Sequence, residues 1–167
     1  MCVQQDFEIT INDSEISTDS ILNQEFVPDS LKDSIKASNV LFVPKIINNK
    51  PFYEVETLDL FNYFKNMESE GFKTELCVTD DDFQFRKEEG LKEYIVLGWL
   101  FVKYVVIKPF FKKLKEYMLR KVKINMPIEL KVTVKKTKQT KTIDINIKGL
   151  PDSIDHALDK LKDFWNE

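Results

Sequence analysis

Tyr94-Ile-Val-Leu-Gly-Trp-Leu-Phe-Val-Lys-Tyr-Val-Val-Ile-Lys-Pro109 is the stretch on which the fold turns. Its apolar run shows neither the 3.6-residue period of an amphipathic helix nor the alternation of a half-buried strand, so periodicity alone does not decide it. We read it as the first part of one long helix, continuing into a basic amphipathic segment with Phe110, Leu114, Met118 and Leu119. A kink is expected before Pro109, because proline removes a backbone donor and disfavours helix at the residue ahead of it. The competing reading makes 94–107 a buried strand and starts a separate helix at Pro109, since β-branched and aromatic residues suit either state. A membrane-spanning helix is not expected: about 20 apolar residues are needed, and Lys103 and Lys108 interrupt any window of that length. An interfacial helix with basic flanks stays open as a membrane contact.

Outward from this run the elements are easier to place. Asn39-Val-Leu-Phe-Val-Pro44 is apolar at every inner position, which suits a central strand covered on both faces. Residues 46–56, with Asn48, Asn49 and Pro51, read as a loop. Thr57 is placed to cap a helix whose Leu60, Phe61, Phe64 and Met67 recur at helical spacing until Gly71, and 73–78 resumes strand character. Strand, helix and strand over about 40 residues make a right-handed βαβ crossover between parallel neighbours. Ile128 to Lys135 and Thr142 to Lys148 alternate with period two around the polar 136–141, a hairpin. Ile154, Leu158, Leu161 and Trp165 mark a last helix. Near the N-terminus, Phe7 to Ile11 reads as a short edge strand, 12–20 as a loop, and a short helix after Pro28 turns Leu31 and Ile35 inward. The expected fold class is α+β, a mixed sheet of four or five strands with a βαβ unit and a C-terminal hairpin, helices packed on it. Residues 39–167 form one globular domain in this reading, and 1–38 an extension packed on it.

The charges are sorted along the chain. Residues 1–93 carry 20 acidic and 9 basic side chains, residues 94–150 carry 3 and 14, and the whole sums to −3. Opposed fields of this kind imply halves that face each other or faces with separate partners. Only Arg86 and Arg120 are arginines among 25 basic residues, so few rigid forks are present for reading phosphates or bases. Four scattered glycines build neither a phosphate-cradling loop nor a dinucleotide fingerprint. His156, the single histidine, has no nucleophile in a recognisable motif beside it, and Cys2 and Cys77 match no metal or redox spacing. No cofactor is expected. The start of the chain lacks the basic and apolar regions of a secretory signal, which points to a cytoplasmic protein with reduced thiols.

Two clusters remain as candidate sites. Asp80, Asp81 and Asp82 close a predicted strand; they read first as a solvated turn capping the next helix, with Mg²⁺ binding by a metal-dependent enzyme as the alternative, and in an adaptor this acidic loop is, beside the basic hairpin, an expected partner contact. Lys131, Lys135, Lys136, Lys138 and Lys141 line the hairpin and, with the helix tail at Lys112, Lys113, Lys115, Arg120, Lys121 and Lys123, would form one positive face. That face is read as an ordinary lysine-rich surface, as a protein-docking surface or as a contact for nucleic-acid phosphates, the docking version being the one an adaptor needs. The aromatic residues sit at core spacing and are not interleaved as base-stacking platforms.

The order of elements resembles the effector-associated constant components, small accessory proteins of bacterial conflict systems. The resemblance lies in a strand at Val40 to Val43, a helix at Thr57 to Glu70, a strand at Lys73 to Val78 and an apolar helix with a basic tail at Tyr94 to Lys121. A hairpin then follows in Lys131-Val-Thr-Val-Lys-Lys and Lys141-Thr-Ile-Asp-Ile-Asn-Ile, with a short final helix. The resemblance implies a non-enzymatic adaptor or regulatory component of anti-phage defence, whose protein partner is an effector, ATPase or sensor of the same system.

Overall fold

The computed structural model describes residues 8–14, 18–24, 27–78, 85–86, 95–121, 127–135 and 142–149, together with His156 and Asp159. It contradicts the long helix. Ile95–Lys103 is a strand, a 3₁₀ turn follows at Tyr104–Val106, and the helix begins only at Ile107. Leu97, Leu100 and Val102 are buried in one core, while Phe101 and Trp99 pack into another on the opposite face. A strand covered on both sides shows no alternation of polarity, which is why its sequence mimicked a buried helix. Pro109 is no kink. It lies in the first turn of Ile107–Lys121, where its missing N–H has no intrahelical acceptor to lose.

In chain order the strands are β1 (Glu8–Ser14), β2 (Val40–Val43), β3 (Lys45–Ile47), β4 (Lys50–Glu54), β5 (Thr74–Leu76), β6 (Phe85–Arg86), β7 (Ile95–Lys103), β8 (Ile128–Lys135) and β9 (Thr142–Gly149). The helices are α1 (Thr18–Leu22), α2 (Lys32–Ala37), α3 (Val55–Lys65) and α4 (Ile107–Lys121). The class is α+β, with a mixed sheet in the order β1-β9-β8-β7-β2-β5 and a small sheet β3-β4-β6 beside it. The expected edge strand, the central strand β2, the parallel pair β2 and β5, and the antiparallel hairpin β8–β9 are all present. The main sheet reaches six strands because β7 joins it and β1 pairs along the outer edge of β9.

Handedness decides where the helices lie. The chain passes from β2 through α3 to the parallel β5, and from β7 through α4 to the parallel β8. β2 and β7 run antiparallel and the two crossovers step outward in opposite directions, so right-handed connections put both helices on one face. One core contains Leu60 and Phe64 of α3, Phe110, Phe111, Leu114, Tyr117 and Met118 of α4, and the inward residues of β7, β8 and β9. Phe64 stacks on Phe110 at 5.1 Å and meets Phe72 edge-on at 5.3 Å. Such aromatic pairs add about 0.5–1.5 kcal/mol each beyond area burial. Between the helices, Tyr117 donates to Asp59 Oδ2 at 2.7 Å. Burial and that hydrogen bond both push the Tyr117 hydroxyl above its ordinary range.

The other face is covered unevenly. Ile21, Leu22, Val27 and Ile35 of the N-terminal segment pack with Leu41, Val43, Cys77 and Phe101, over β2, β5 and the end of β7. Over β8 and β9 the same face carries Lys131, Asp144 and Asn146, all half-buried, and the exposed Glu129 and Lys148.

Candidate functional site

The region read as a loop, 46–56, is instead the hairpin β3–β4, and it forms one wall of a site. Asn48 and Asn49 have φ of 53° and 64°, the left-handed pair that a two-residue type I′ turn needs and that asparagine tolerates. Pro51 sits opposite Ile46, one step beyond the Ile47–Lys50 pair that closes the turn. That is a position without ladder hydrogen bonds, so the lack of an N–H costs nothing. Tyr53 anchors the hairpin: its hydroxyl donates to the Phe42 carbonyl at 2.7 Å and accepts from the Cys77 N–H at 3.0 Å. Burial drives the Tyr53 hydroxyl well above its usual range and pushes the Cys77 thiol up to about 12. Cys77 is therefore a buried neutral thiol, with its Sγ 3.4 Å from the same Phe42 carbonyl.

β2 leaves the sheet at Pro44, just after Val43 pairs with Trp99. β7 continues past that point with an irregularity between Val96 and Gly98, and Thr57 of α3 turns its hydroxyl to the Val96 carbonyl at 3.5 Å. Thr57 is not the helix cap, which falls at Glu54. It packs against Gly98 instead. A Cβ built on Gly98 would lie 2.9 Å from both Thr57 Cγ2 and Oγ1, and Gly98 has φ of +104°, so only glycine suits this position.

The gap left where β2 departs is a cavity of about 690 Å³. Its floor is the open sheet face around Trp99, Lys131 and Asn146, and its wall is β3–β4 with Lys45, Ile46, Phe52 and Glu54. The floor is held by a closed ring of contacts. Trp99 Nε1 donates to Thr133 Oγ1 at 2.8 Å, and Thr133 Oγ1 donates to Asp144 Oδ1 at 2.6 Å. Asp144 Oδ2 faces Lys131 Nζ at 3.8 Å, and that ammonium lies 4.4 Å from the centroid of the Trp99 ring. Each member limits the rotamer of the next, so the indole is fixed before any ligand arrives. On the wall, Glu54 pairs with Lys45 at 3.4 Å, and Ile46 is 49% exposed.

Of the sequence candidates, Lys131 belongs to this site. Lys135 ends β8 opposite Thr142 and Lys103. Lys136, Lys138, Lys141, Asp80, Asp81 and Asp82 lie outside the described residues, as does the final helix apart from His156 and Asp159, which are helical and exposed. Lys131 itself does not share a face with α4: strand alternation turns it away from the helix, whose neighbours on β8 are Leu130, Val132 and Val134. On α4, Lys113 is tied to Glu70 and Glu116 at 3.3 Å each, which holds its ammonium above the ordinary lysine range. Among the described residues, no three His, Cys, Asp or Glu are grouped to hold a metal ion, and no helix is long and apolar enough to cross a membrane.

Trp99, Thr133, Asp144 and Glu54 were not singled out from sequence. The available signal was an aspartate in mid-strand, Asp144, between isoleucines in a segment where acids are disfavoured. No protein-family model, curated protein or solved structure matches the chain. The fold and the site thus define a class only: an α+β protein with one helix-covered sheet face and one partly open face that holds a prearranged aromatic and charged cavity.

Proposed function

We propose that this chain is a non-catalytic accessory protein that binds a protein partner through the open sheet face and the β3–β4 hairpin. The observation that carries the reading is the closed ring Trp99–Thr133–Asp144–Lys131 on that face. A fixed aromatic platform held by its polar neighbours suits recognition, because a partner meets it already ordered. The exposed Ile46 beside it adds an apolar contact of the kind found at interface centres. Cys77, the thiol nearest in chemistry to a nucleophile among the described residues, is buried and neutral, which favours recognition over group transfer. The part of that element order which the structure keeps, β2–α3–β5 and the β8–β9 pair without the apolar helix at Tyr94, is what extends the proposal to an adaptor or regulatory role in bacterial anti-phage defence, in the cytoplasm, with an effector, ATPase or sensor as partner.

The test is a nuclease-treated pull-down from the native cell with wild-type chain, Ile46→Asp and Lys131→Glu, each checked for folding by circular dichroism. A stoichiometric protein captured by wild type and lost from both folded variants supports the reading. Capture unaffected by either change removes this face from the proposal. Recovery of nucleic acid alone, released by moderate salt, replaces it with phosphate binding.

A further inference from the structure

The charges around the cavity are not equivalent. On its floor, Lys131 faces Asp144, and Lys148 stands opposite Glu129 in the β8–β9 register, so each lysine has a carboxylate across the ladder. On its wall, the Glu54 side chain is only 6% exposed, while its partner Lys45 is 53% exposed and 3.4 Å away. A carboxylate has room for about four hydrogen bonds, and this pair sits at the long end of hydrogen-bond geometry. Among the described side chains, the anion is thus nearly out of water and its counter-ion Lys45 largely in it, with Arg86 next to Glu54 in the β4–β6 register. Attraction to a cation grows steeply where water is excluded, so a cation arriving within the cavity gains more from Glu54 than Lys45 does from outside. The floor offers the second half of a cation site. Lys131 takes up one face of the Trp99 ring, so the floor's contribution is apolar surface for a stem, the rest of the indole with Phe52 in the same space.

We infer that the cavity receives a basic side chain, arginine or lysine, from the partner, its charge on Glu54 in place of Lys45 and its aliphatic stem along Trp99 and Phe52. The inference rests on the proposed binding role of this face and names the chemistry that would be recognised. Arginine is the better fit, because its planar fork can take both carboxylate oxygens. A volume of about 690 Å³ is ample for one such side chain and its backbone.

The experiment titrates N-acetyl-arginine methylamide into the full ¹⁵N-labelled chain and follows the Trp99 indole N–H signal, assigned with Trp99→Phe. The norleucine analogue, with the same stem and no charge, is the control. A saturable shift with the arginine probe only is expected, lost in Glu54→Gln. Lys45→Met, which removes the internal competitor, should tighten binding by about threefold, the ratio a half-exposed ion pair supports. Equal shifts from the norleucine probe, or none in either wild type or Lys45→Met, would overturn the inference. If Glu54→Gln does not fold, Lys45→Met decides. Partner capture that survives a folded Glu54→Gln removes the cation site and leaves the docking face standing; an arginine response without any partner does the reverse.

Discussion

Gly98→Ala tests the joint between α3 and β7 that opens the cavity. Two costs add there. Holding alanine at φ of +104° places a Cβ in a backbone region L-residues rarely occupy, for about 1–3 kcal/mol. The same Cβ would overlap Thr57 Cγ2 and Oγ1 at 2.9 Å, and relief by moving α3 from the sheet costs about 1–3 kcal/mol as overpacking. The combined loss should be about 3–4 kcal/mol, or roughly 10 °C in Tm for a chain of this size. Urea unfolding followed by circular dichroism measures it, and a double-mutant cycle separates the two parts. Thr57→Ala deletes both overlapping atoms, so the pair Gly98→Ala with Thr57→Ala should recover about 1–2 kcal/mol relative to additivity. A single-variant loss below about 0.5 kcal/mol, typical of an unremarkable surface change, would refute the strain argument. Full additivity would refute the contact with Thr57.

Thr133→Val keeps the side-chain shape but removes the hydroxyl between Trp99 and Asp144; a loss of about 2–3 kcal/mol in urea is expected from two groups left short of a partner, and a neutral result would mean the ring is not closed. Tyr53→Phe frees the Phe42 carbonyl and the Cys77 N–H and should cost about 2–4 kcal/mol, with hydrogen exchange rising first in β4. Stability should also fall in alkali. The unfolded chain releases the Cys77 proton near 9.0 whereas the native chain keeps it to about 12, so this contribution is whole below pH 9.0 and is lost as pH rises through that window. One proton sets a slope of at most about 1.4 kcal/mol per pH unit, and Cys77→Ala should flatten the dependence of the urea midpoint on pH. An unchanged slope in that variant assigns the loss to other groups, Tyr53 first.

The parts of the fold legible in the sequence are those with a local period. β8 and β9 alternate because one face of the hairpin is core and the other is open, and α3 shows its stripe because it lies on a single surface. β7 was misread because two cores enclose it, leaving no polar side to set a period; β-branched residues at Ile95, Val96 and Val102, with Pro109 in a first helical turn, were the available clues. The β3–β4 hairpin was hidden by Pro51, which argues against a strand unless its place in the ladder is known. The cavity is non-local: Glu54, Trp99, Lys131 and Asn146 come from four strands, and only the departure of β2 at Pro44 brings them together. Residue types announced Lys131 as a charge. They gave no hint that an indole and an aspartate would hold it.

Among the described strands β1 pairs with β9 alone, Glu8 against Lys148 and Ser14 against Thr142. On a ribosome this strand is made well before its ladder partner among the described residues, which follows about 130 to 140 residues later. Contacts of such separation close late, because the intervening loop must first lose its freedom. During synthesis the segment waits with its edge unpaired, the state in which strands join wrong neighbours. The alternation of Glu8, Thr10 and Asn12 with Ile9 and Ile11, followed by the polar Asp13 and Ser14, fits that interval, since a largely polar ribbon is a poor template for aggregation. When it finally docks, it covers the outer edge of β9, so a strand translated long before its partner becomes the clasp that completes the sheet.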